Sequence, residues 1–212
     1  EMLADTGDSA ELVEVGNDIH MAGRFIQRSA EQMDERISAL SSLTRLEHRA
    51  LEYEQFDLHQ LVSEVCELHR LSLRDIGGTV HISQLPELES DRLATQLVVE
   101  NLVANAIKYR QQDRSLTIRV WADSDADGVT LHVQDNGRGI TETDLARIFV
   151  MFRRVGEQNT SGDGTGLAFS RAIVNRLGGR IWCDSRLAEG STFHVFFPAV
   201  SLLAAANSVS SS

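Results

Sequence analysis

Apolar residues recur every seven positions through the first quarter of the chain. The two rows of this repeat contain Leu12, Ile19, Ile26, Met33 and Leu40, and then Val15, Ala22, Ile37 and Leu43. This spacing predicts one long amphipathic helix over residues 9–52, with Ser9 as its N-cap. A helix of about 40 residues is roughly 60 Å long, and a small domain cannot cover its apolar stripe. We therefore predict a four-helix bundle with a second copy of the chain. The alternative is a single long core helix.

The pattern becomes polar over residues 46–56, and we place a domain boundary there. Asp57 is the predicted N-cap of an amphipathic helix that carries Leu58, Leu61, Val62, Val65, Leu68 and Leu71. The predicted divisions are residues 1–54, 55–199 and 200–212. The last of these is rich in alanine and serine, and we expect it to be disordered.

Shorter segments with two different periods fill the central part of the chain. Alternation predicts strands at residues 79–83, 116–121, 129–133, 180–184 and 192–197. Helical spacing predicts helices at residues 93–110, 144–149 and 166–177. The predicted fold class is α+β: a helical hairpin bundle followed by an α/β sandwich, with one mixed sheet and helices on one face.

Composition and charge limit the function classes. The 212 residues are 42% hydrophobic and 24% charged, which is enough for a sizeable core. A net charge of −11 argues against a nucleic-acid partner. The longest apolar run, residues 198–206, is far too short to span a membrane. The two cysteines, Cys66 and Cys183, suggest no disulfide framework. We therefore expect two free thiols and a cytoplasmic location.

Three polar residues share one face of the predicted helix in "ENLVANAIKY". Asn101, Asn105 and Lys108 are spaced by four and then three residues. They could be ordinary surface residues opposite a buried stripe. They could also bind a polyanion with a hard cation, because amide oxygens ligate Mg²⁺ and a lysine can reach a phosphate.

Three further segments follow in order. "DNGRGI" begins with Asp135 at the end of a predicted strand, where it is either a plain turn or an acceptor for an amine. "FVMF" contains Phe149 and Phe152, whose rings could equally be core residues. "GDGTGL" contains three glycines and leads into a helix, whose N-terminus attracts anions.

This ordered set resembles the ATP-binding domain of sensor histidine kinases, in the group shared with ATP-driven chaperones, mismatch-repair ATPases and type II topoisomerases. "NLVANAIKY" resembles the N box, "DNGRGI" and "GDGTGL" the two glycine boxes, and "IFVMFRR" the F box. The resemblance covers residues 57–198. The long heptad helix resembles the second helix of that family's dimerisation and phosphotransfer domain. The form "IFVMFRRV" is similar to that of phytochrome-type kinases.

The resemblance implies a role for each matched position. Asn105 would hold Mg²⁺, Asn101 and Lys108 would contact the phosphates, and Asp135 would bind adenine. The other implied ATP contacts are Tyr109, Gly137, Gly139, Ile140, Phe149, Phe152, Gly162, Gly164, Thr165, Gly166, Leu167 and Thr192. The implied ATP lid is residues 154–163. Asp163 departs from the small or hydroxyl residue usual in the family, and its charge would repel a triphosphate unless it points to solvent.

The resemblance also implies an activity and partners. Such kinases form homodimers, transfer the ATP γ-phosphate to a histidine in a His-Glu or His-Asp pair, and pass it to a response-regulator aspartate. None of the seven histidines of this chain precedes an acidic residue. We therefore expect the acceptor upstream of this sequence, with the first bundle helix reduced to a stub over residues 1–6.

Two alternatives stay open. One is a serine kinase or another ATPase of the same superfamily, although such proteins lack a long heptad helix like that of residues 9–52. The other is a nucleotide-binding dimerisation module without catalysis.

Overall fold

The computed structural model describes residues 49–150 and 165–200, together with Met21, Gly23 and Gln27. The chain divides into two compact units, Glu1–Thr44 and Arg45–Ser212. The three described residues of the first unit are helical and exposed. Across the described parts of the chain, no helix combines the length and apolar character that a membrane span requires.

Several sequence-based predictions fall outside these residues. They are the greater part of the predicted long helix, His20 and His48, the lid at residues 154–163, and the tail after residue 200. The predicted ATP contacts Phe152, Gly162 and Gly164 also lie outside.

The described part of the second unit contains seven strands and five helices. The strands are β1 (Tyr53–Asp57), β2 (Thr79–Ile82), β3 (Glu87–Asp91), β4 (Thr117–Ser124), β5 (Gly128–Asp135), β6 (Arg180–Arg186) and β7 (Gly190–Pro198). The helices are α1 (Leu58–Leu68), α2 (Arg70–Asp75), α3 (Arg92–Lys108), α4 (Glu142–Leu145) and α5 (Gly166–Arg176).

The main sheet has five strands in the order β2-β4-β5-β7-β6. β2 pairs with β4 in parallel, and the other neighbours are antiparallel. The mixed sheet predicted from the sequence is therefore confirmed. β5 lies at its centre, and its last residue, Asp135, pairs with Ser191 of β7.

One face of this sheet packs against the helices. Because successive strand residues point to opposite faces, alternate residues of β4, β5 and β7 enter one core with the apolar sides of α1, α3 and α5. Its buried members include Val62, Val65, Val98, Leu102, Ile118, Leu131, Val133, Val174, Phe193 and Val195. Burial of a Val, Leu, Ile or Phe side chain contributes about 1.5 to 3 kcal/mol. This core therefore fixes α3 and α5 against the sheet.

The opposite face of the sheet carries an aromatic row that crosses four strands. In register order it consists of Trp121, His132, His194 and Trp182. Each tryptophan stacks on its neighbouring histidine, with centroids 4.9 and 5.0 Å apart. The two histidines meet through their Nδ1 atoms at 2.6 Å. Nε2 of His132 hydrogen-bonds Asp123 at 3.1 Å, and Nε2 of His194 lies 3.1 Å from Asp184.

A second, two-stranded sheet is absent from the sequence prediction. β1 and β3 pair antiparallel, with Phe56 opposite Leu88. Each strand carries mostly acidic or polar residues and one buried large apolar side chain, so its alternation is hard to recognise. β1 also corrects the predicted end of the long helix, because residues 49–52 are not helical and lead directly into this strand.

Asp91 connects residues 49–52 to α3 through hydrogen bonds. Its Oδ1 accepts a hydrogen bond from the backbone N–H of Ala94 at 2.9 Å and so caps the helix. Its Oδ2 accepts from the backbone N–H of Glu52 at 3.0 Å and from the guanidinium of Arg49. Arg176 of α5 donates to the backbone oxygen of Arg49. The segment before β1 is therefore bonded to both α3 and α5.

The predicted cap of α1 is confirmed, whereas its predicted apolar stripe is too long. Asp57 accepts from the backbone N–H of Gln60 at 3.0 Å. The helix ends at Leu68, and a separate short helix begins at Arg70. Leu68 and Leu71 are 66% and 65% exposed, so they do not continue the buried face.

Both cysteines are free, as the sequence predicts. Burial raises the pKa of Cys66 to about 11 and that of Cys183 to about 12. Both therefore stay protonated thiols at neutral pH, with little reactivity.

Candidate functional site

A cavity of about 280 Å³ lies where α3, the end of β5, the start of α5 and β7 meet. It is lined by Asn101, Ala104, Asn105, Lys108, Tyr109, Asp135, Arg138, Gly139, Ile140, Ile148, Gly166, Leu167, Ser191 and Phe193. Segments far apart in the sequence thus converge on one space, with polar groups on some walls and apolar groups on others.

The polar wall is one face of α3. Asn101, Asn105 and Lys108 line the cavity together, as their spacing predicts. Nδ2 of Asn101 donates to the hydroxyl of Ser170 at 2.8 Å, and Nδ2 of Asn105 faces Oδ1 of Asn101 at 3.4 Å. No donor among the described residues reaches Oδ1 of Asn105, so this oxygen can ligate a cation.

Asp135 supplies a buried carboxylate at another wall. Its side chain accepts from the backbone N–H of Gly137 at 2.7 Å. Burial raises the pKa of this carboxyl to about 6, while hydrogen bonds from Gly137 and Ser191 and the charge of Arg114 act in the opposite direction. At neutral pH Asp135 is therefore a desolvated anion, which is a strong acceptor for an N–H group of a ligand.

The loop after Asp135 is held from two sides. Arg114 donates to the backbone oxygens of Gly137 at 2.8 Å and Ala188 at 2.7 Å. Gly139 adopts a φ of +69°, and a Cβ there would overlap the backbone oxygen of Arg186. The loop therefore packs on the β6–β7 turn and keeps Asp135 in place.

The start of α5 approaches the polar wall closely. A Cβ on Gly166 would overlap Oδ1 of Asn101, so a larger residue at this point would displace the side chain of Asn101. The first backbone N–H groups of a helix lack partners within the helix and carry partial positive charge. The start of α5 therefore offers N–H donors to an anion in the cavity.

Two cationic side chains flank Tyr109 at the edge of the cavity. The guanidinium of Arg138 lies 4.6 Å from the ring centroid, and the ammonium of Lys108 lies 5.0 Å from it. Cations at these distances are attracted to the ring face. Tyr109 thus keeps two positive charges beside the cavity, on a chain whose net charge is −11.

Apolar side chains also line the cavity. Ile140, Ile148, Leu167 and Phe193 line the cavity, and Phe193 is also part of the core. A flat ring could lie against this wall with an edge directed at Asp135. Apolar walls with a few placed polar groups are typical of sites for small ligands.

Four predicted site residues lie beside the cavity without lining it. Gly137 packs against Asp135, Thr165 is buried at the start of α5, and Phe149 packs on the core near Arg171. Thr192 is a correction: strand alternation points it to the opposite face, where its hydroxyl accepts from Gln134 at 3.4 Å. Ser191 takes its place in the cavity wall.

The sequence interpretation omitted several lining residues. They are Ala104, Arg138, Ile148, Ser191 and Phe193. Ala104 lies between Asn101 and Asn105 in the sequence, and Arg138 lies within "DNGRGI". Their position inside these two motifs could have identified them as lining residues. Nothing in the spacing distinguishes Ile148 or Ser191 from ordinary core residues.

The described residues contain no group of three His, Cys, Asp or Glu side chains placed to hold a metal ion. The cavity offers one free amide oxygen, on Asn105, instead. Mg²⁺ is often held by one or two protein oxygens together with waters and substrate phosphates. The donor set therefore fits an Mg²⁺ that arrives with a polyphosphate, and it does not fit a metal held by protein alone.

Comparison with known proteins identifies one matching family. Residues 90–201 match the family described as histidine kinase-, DNA gyrase B- and HSP90-like ATPase. The match covers more than half of the chain and contains every lining residue of the cavity.

Curated relatives match over a large part of this chain. Cyanobacterial phytochrome B of a Nostoc species is 33% identical over 170 residues, which cover 79% of this chain and 23% of the phytochrome. Sensor protein kinase WalK of Staphylococcus saprophyticus is 29% identical over 212 residues, covering 92% of this chain and 34% of WalK. The chain thus spans about a quarter to a third of the length of these relatives.

Solved structures share the fold. The nucleotide-free catalytic domain of histidine kinase ThkA aligns with a TM-score of 0.61 and 28% identity, covering 69% of this chain and 97% of that domain. Full-length ShkA in complex with AMPPNP aligns with a TM-score of 0.65 and 25% identity, covering 77% of this chain and 35% of ShkA.

Proposed function

This chain belongs to the histidine kinase-, DNA gyrase B- and HSP90-like ATPase family, and from that premise we propose that it is the catalytic ATP-binding core of a sensor histidine kinase. In this proposal the cavity binds ATP, and the γ-phosphoryl group is transferred to a histidine. The relatives WalK and phytochrome B support the kinase branch of the family.

One observation carries the proposal. The carboxylate of Asp135, the polar face of α3 and several apolar side chains line the same cavity. Asp135 accepts a hydrogen bond from the exocyclic amine of adenine, whose ring lies on Ile140, Ile148 and Phe193. Asp135 thus selects adenine over guanine, which carries a carbonyl oxygen where adenine carries the amine.

The phosphates extend from the base toward α3 and α5. Asn101 and Lys108 contact phosphate oxygens, and the N–H groups at the start of α5 add donors of the kind that bind phosphate in many proteins. Lys108 and Arg138, which both flank Tyr109, reduce the repulsion between the triphosphate and the acidic chain. Phosphoryl transfer depends mainly on such positioning and charge neutralisation.

Asn105 holds the metal ion through its free oxygen. Mg²⁺ held there would supply positive charge to offset the negative charge of the phosphates during transfer. The role of this chain is to present the amide oxygen in the correct direction and to keep Lys108 within reach of the same phosphates.

The phosphoryl acceptor and the partners are part of the same proposal. None of the seven histidines precedes an acidic residue, so we assign the acceptor to a bundle helix that this sequence does not contain. The heptad repeat of residues 9–52 supports a homodimer through that bundle. A response-regulator aspartate then receives the phosphoryl group, as the resemblance to two-component kinases implies.

Calorimetry with ATP and GTP tests the nucleotide site. We expect ATP to bind in the presence of Mg²⁺. GTP should bind at least about tenfold more weakly, because the carbonyl oxygen of guanine would face the carboxylate of Asp135 and both groups are acceptors. Asp135→Asn should reduce this preference for ATP. Equal affinity of the wild-type protein for ATP and GTP would contradict the assignment of Asp135.

A second experiment tests the transfer. The protein is mixed with radiolabelled ATP and a separate bundle helix that contains a His-Glu pair. We expect acid-labile, base-stable phosphate on that helix, lost in Asn105→Ala and retained in His20→Gln and His48→Gln. Phosphohistidine on His20 or His48 without the added helix would overturn the assignment of the acceptor.

A further inference from the structure

Ser170 is a fully buried polar residue on α5, in the interface with α3. A buried hydroxyl is costly unless it is hydrogen-bonded. Its partner is Nδ2 of Asn101, at 2.8 Å. Ser170 does not line the cavity, so it cannot act on a ligand directly.

This bond supports the amide orientation of Asn101 that the structure shows. With Nδ2 on Ser170, the oxygen Oδ1 is directed at Gly166 and Asn105. In this orientation Nδ2 of Asn101 is a donor that needs an acceptor in the contact between α3 and α5, and without one the reversed amide would be favoured. The hydroxyl of Ser170 supplies that acceptor.

Asn101 then determines the orientation of Asn105. Nδ2 of Asn105 faces Oδ1 of Asn101 at 3.4 Å, which leaves Oδ1 of Asn105 for the cavity. If Asn101 reversed, two NH₂ groups would face each other. Asn105 would reverse as well, and it would present a donor instead of an oxygen to a cation.

We infer that Ser170 is a positioning residue for the metal ion: through Asn101 it holds the oxygen of Asn105 toward the cavity. The inference rests on the proposed function, because it needs an Mg²⁺–ATP complex in the cavity. Ser170 lies outside the cavity wall, yet in this inference it controls how strongly nucleotide binding depends on Mg²⁺. The Mg²⁺ dependence therefore relies on the contact between α3 and α5.

The test compares ATP affinity in saturating Mg²⁺ and in EDTA. For Ser170→Ala we expect the affinity in EDTA to stay within about twofold of the wild type, since Asp135 and the apolar wall are unchanged. The gain in affinity on adding Mg²⁺ should fall about tenfold, the size of effect expected from one lost hydrogen bond. Ser170→Thr, which keeps the hydroxyl, should retain the gain.

Two controls separate this role from a structural one. Ser63→Ala removes a hydroxyl that only donates to the His59 carbonyl of its own helix at 2.8 Å, and it should leave both affinities unchanged. Asp135→Asn should weaken binding equally in Mg²⁺ and in EDTA. An equal loss under both conditions for Ser170→Ala, or an unchanged Mg²⁺ gain, would overturn the inference. Absence of ATP binding by the wild type under both conditions would instead overturn the proposed function.

Discussion

The carboxylate of Asp135 accepts a hydrogen bond from the backbone N–H of Gly137 at 2.7 Å. This bond, a hydrogen bond from Ser191 and the charge of Arg114 together do not offset burial, which raises the pKa of the carboxyl to about 6. The protein thus keeps a carboxylate in an environment that disfavours its charge, which is common at functional sites.

We first predict that ATP affinity depends on pH through Asp135. The ionised carboxylate is the stronger acceptor for the adenine amine, so affinity should decline as pH falls through about 6. Calorimetry from about pH 5 to pH 8 measures this decline. Asp135→Asn should show a flatter profile. A profile as steep in Asp135→Asn as in the wild type would assign the pH dependence to another group.

The second prediction concerns the stability of the nucleotide-free protein. The folded-state pKa of Asp135 is raised from 3.8 to about 6, so the folded state binds more protons than the unfolded chain in that window. The contribution of Asp135 to stability therefore falls as pH rises from about 4 to 6. Asp135→Asn removes the buried charge, and we expect it to raise the free energy of unfolding at pH 8 by about 1 to 3 kcal/mol.

The gain in Asp135→Asn should shrink toward pH 4, where the folded wild-type carboxyl is neutral. Denaturant unfolding at both pH values measures it. A variant that is less stable than the wild type at pH 8 would show that the bonds of the carboxylate outweigh its desolvation.

The third prediction concerns Gly166. Gly166→Ala places a Cβ against Oδ1 of Asn101, so α5 or Asn101 must shift. We expect ATP affinity to fall at least about tenfold, because Asn101 and the start of α5 are both proposed phosphate contacts and the loss of one hydrogen bond to a charged group costs about 1.5 to 3 kcal/mol. Gly77→Asn is the matched control, since an added Cβ there meets nothing within 4 Å and asparagine tolerates its φ of +62°. Normal affinity in Gly166→Ala would contradict the close approach.

The fourth prediction concerns the histidine pair on the outer face. Burial and the neighbouring His132 lower the pKa of His194 below its ordinary value of 6.5, although Asp184 acts against them. The groups around the pair are Trp121, Trp182, Asp123 and Asp184, with Arg119 and Arg180 in the adjacent rows of the same face. Just below about pH 6.5, residue 194 is protonated to a greater extent in the unfolded chain than in the folded one, so the contribution of His194 to stability should fall on acidification.

His194→Gln should reduce this slope in denaturant unfolding, because glutamine takes up no proton. His81→Gln, at an exposed position of β2, is the control and should keep the wild-type slope. An unchanged slope in His194→Gln would show that other groups cause the acid sensitivity.

The fifth prediction concerns the heptad repeat of residues 9–52. Replacement of Ile26 and Met33 with glutamate puts charges into the apolar stripe and should convert a dimer into monomers. Sedimentation at tens of micromolar, roughly the range in which a weak bundle associates, measures the change. A wild-type protein that is already monomeric there would exclude the bundle.

The sequence motifs predicted most of the residues that line the cavity, because these residues recur at the regular spacing of helices and strands. Asn101, Asn105 and Lys108 are four and three residues apart, so a helix must bring them together wherever it packs. Asp135 ends a strand whose alternation is clear. The sequence could not distinguish Ser191 from Thr192, since a shift of one residue moves a strand side chain to the other face.

Features that depend on packing between distant segments escaped prediction. Ser170 looks like any small polar residue of a helix, and its role follows only from the contact of α5 with Asn101. β1 and β3 have too few apolar residues to show alternation. Their position follows from pairing with each other and from the bonds of Asp91 to the segment before β1.

Asp91 divides its two oxygens between separate tasks. Oδ1 caps the helix that carries Asn101, Asn105 and Lys108. Oδ2 accepts hydrogen bonds from the backbone N–H of Glu52 and the side chain of Arg49. Loss of the Asp91 carboxylate would therefore remove the cap of this helix and two bonds to the segment before β1 at the same time.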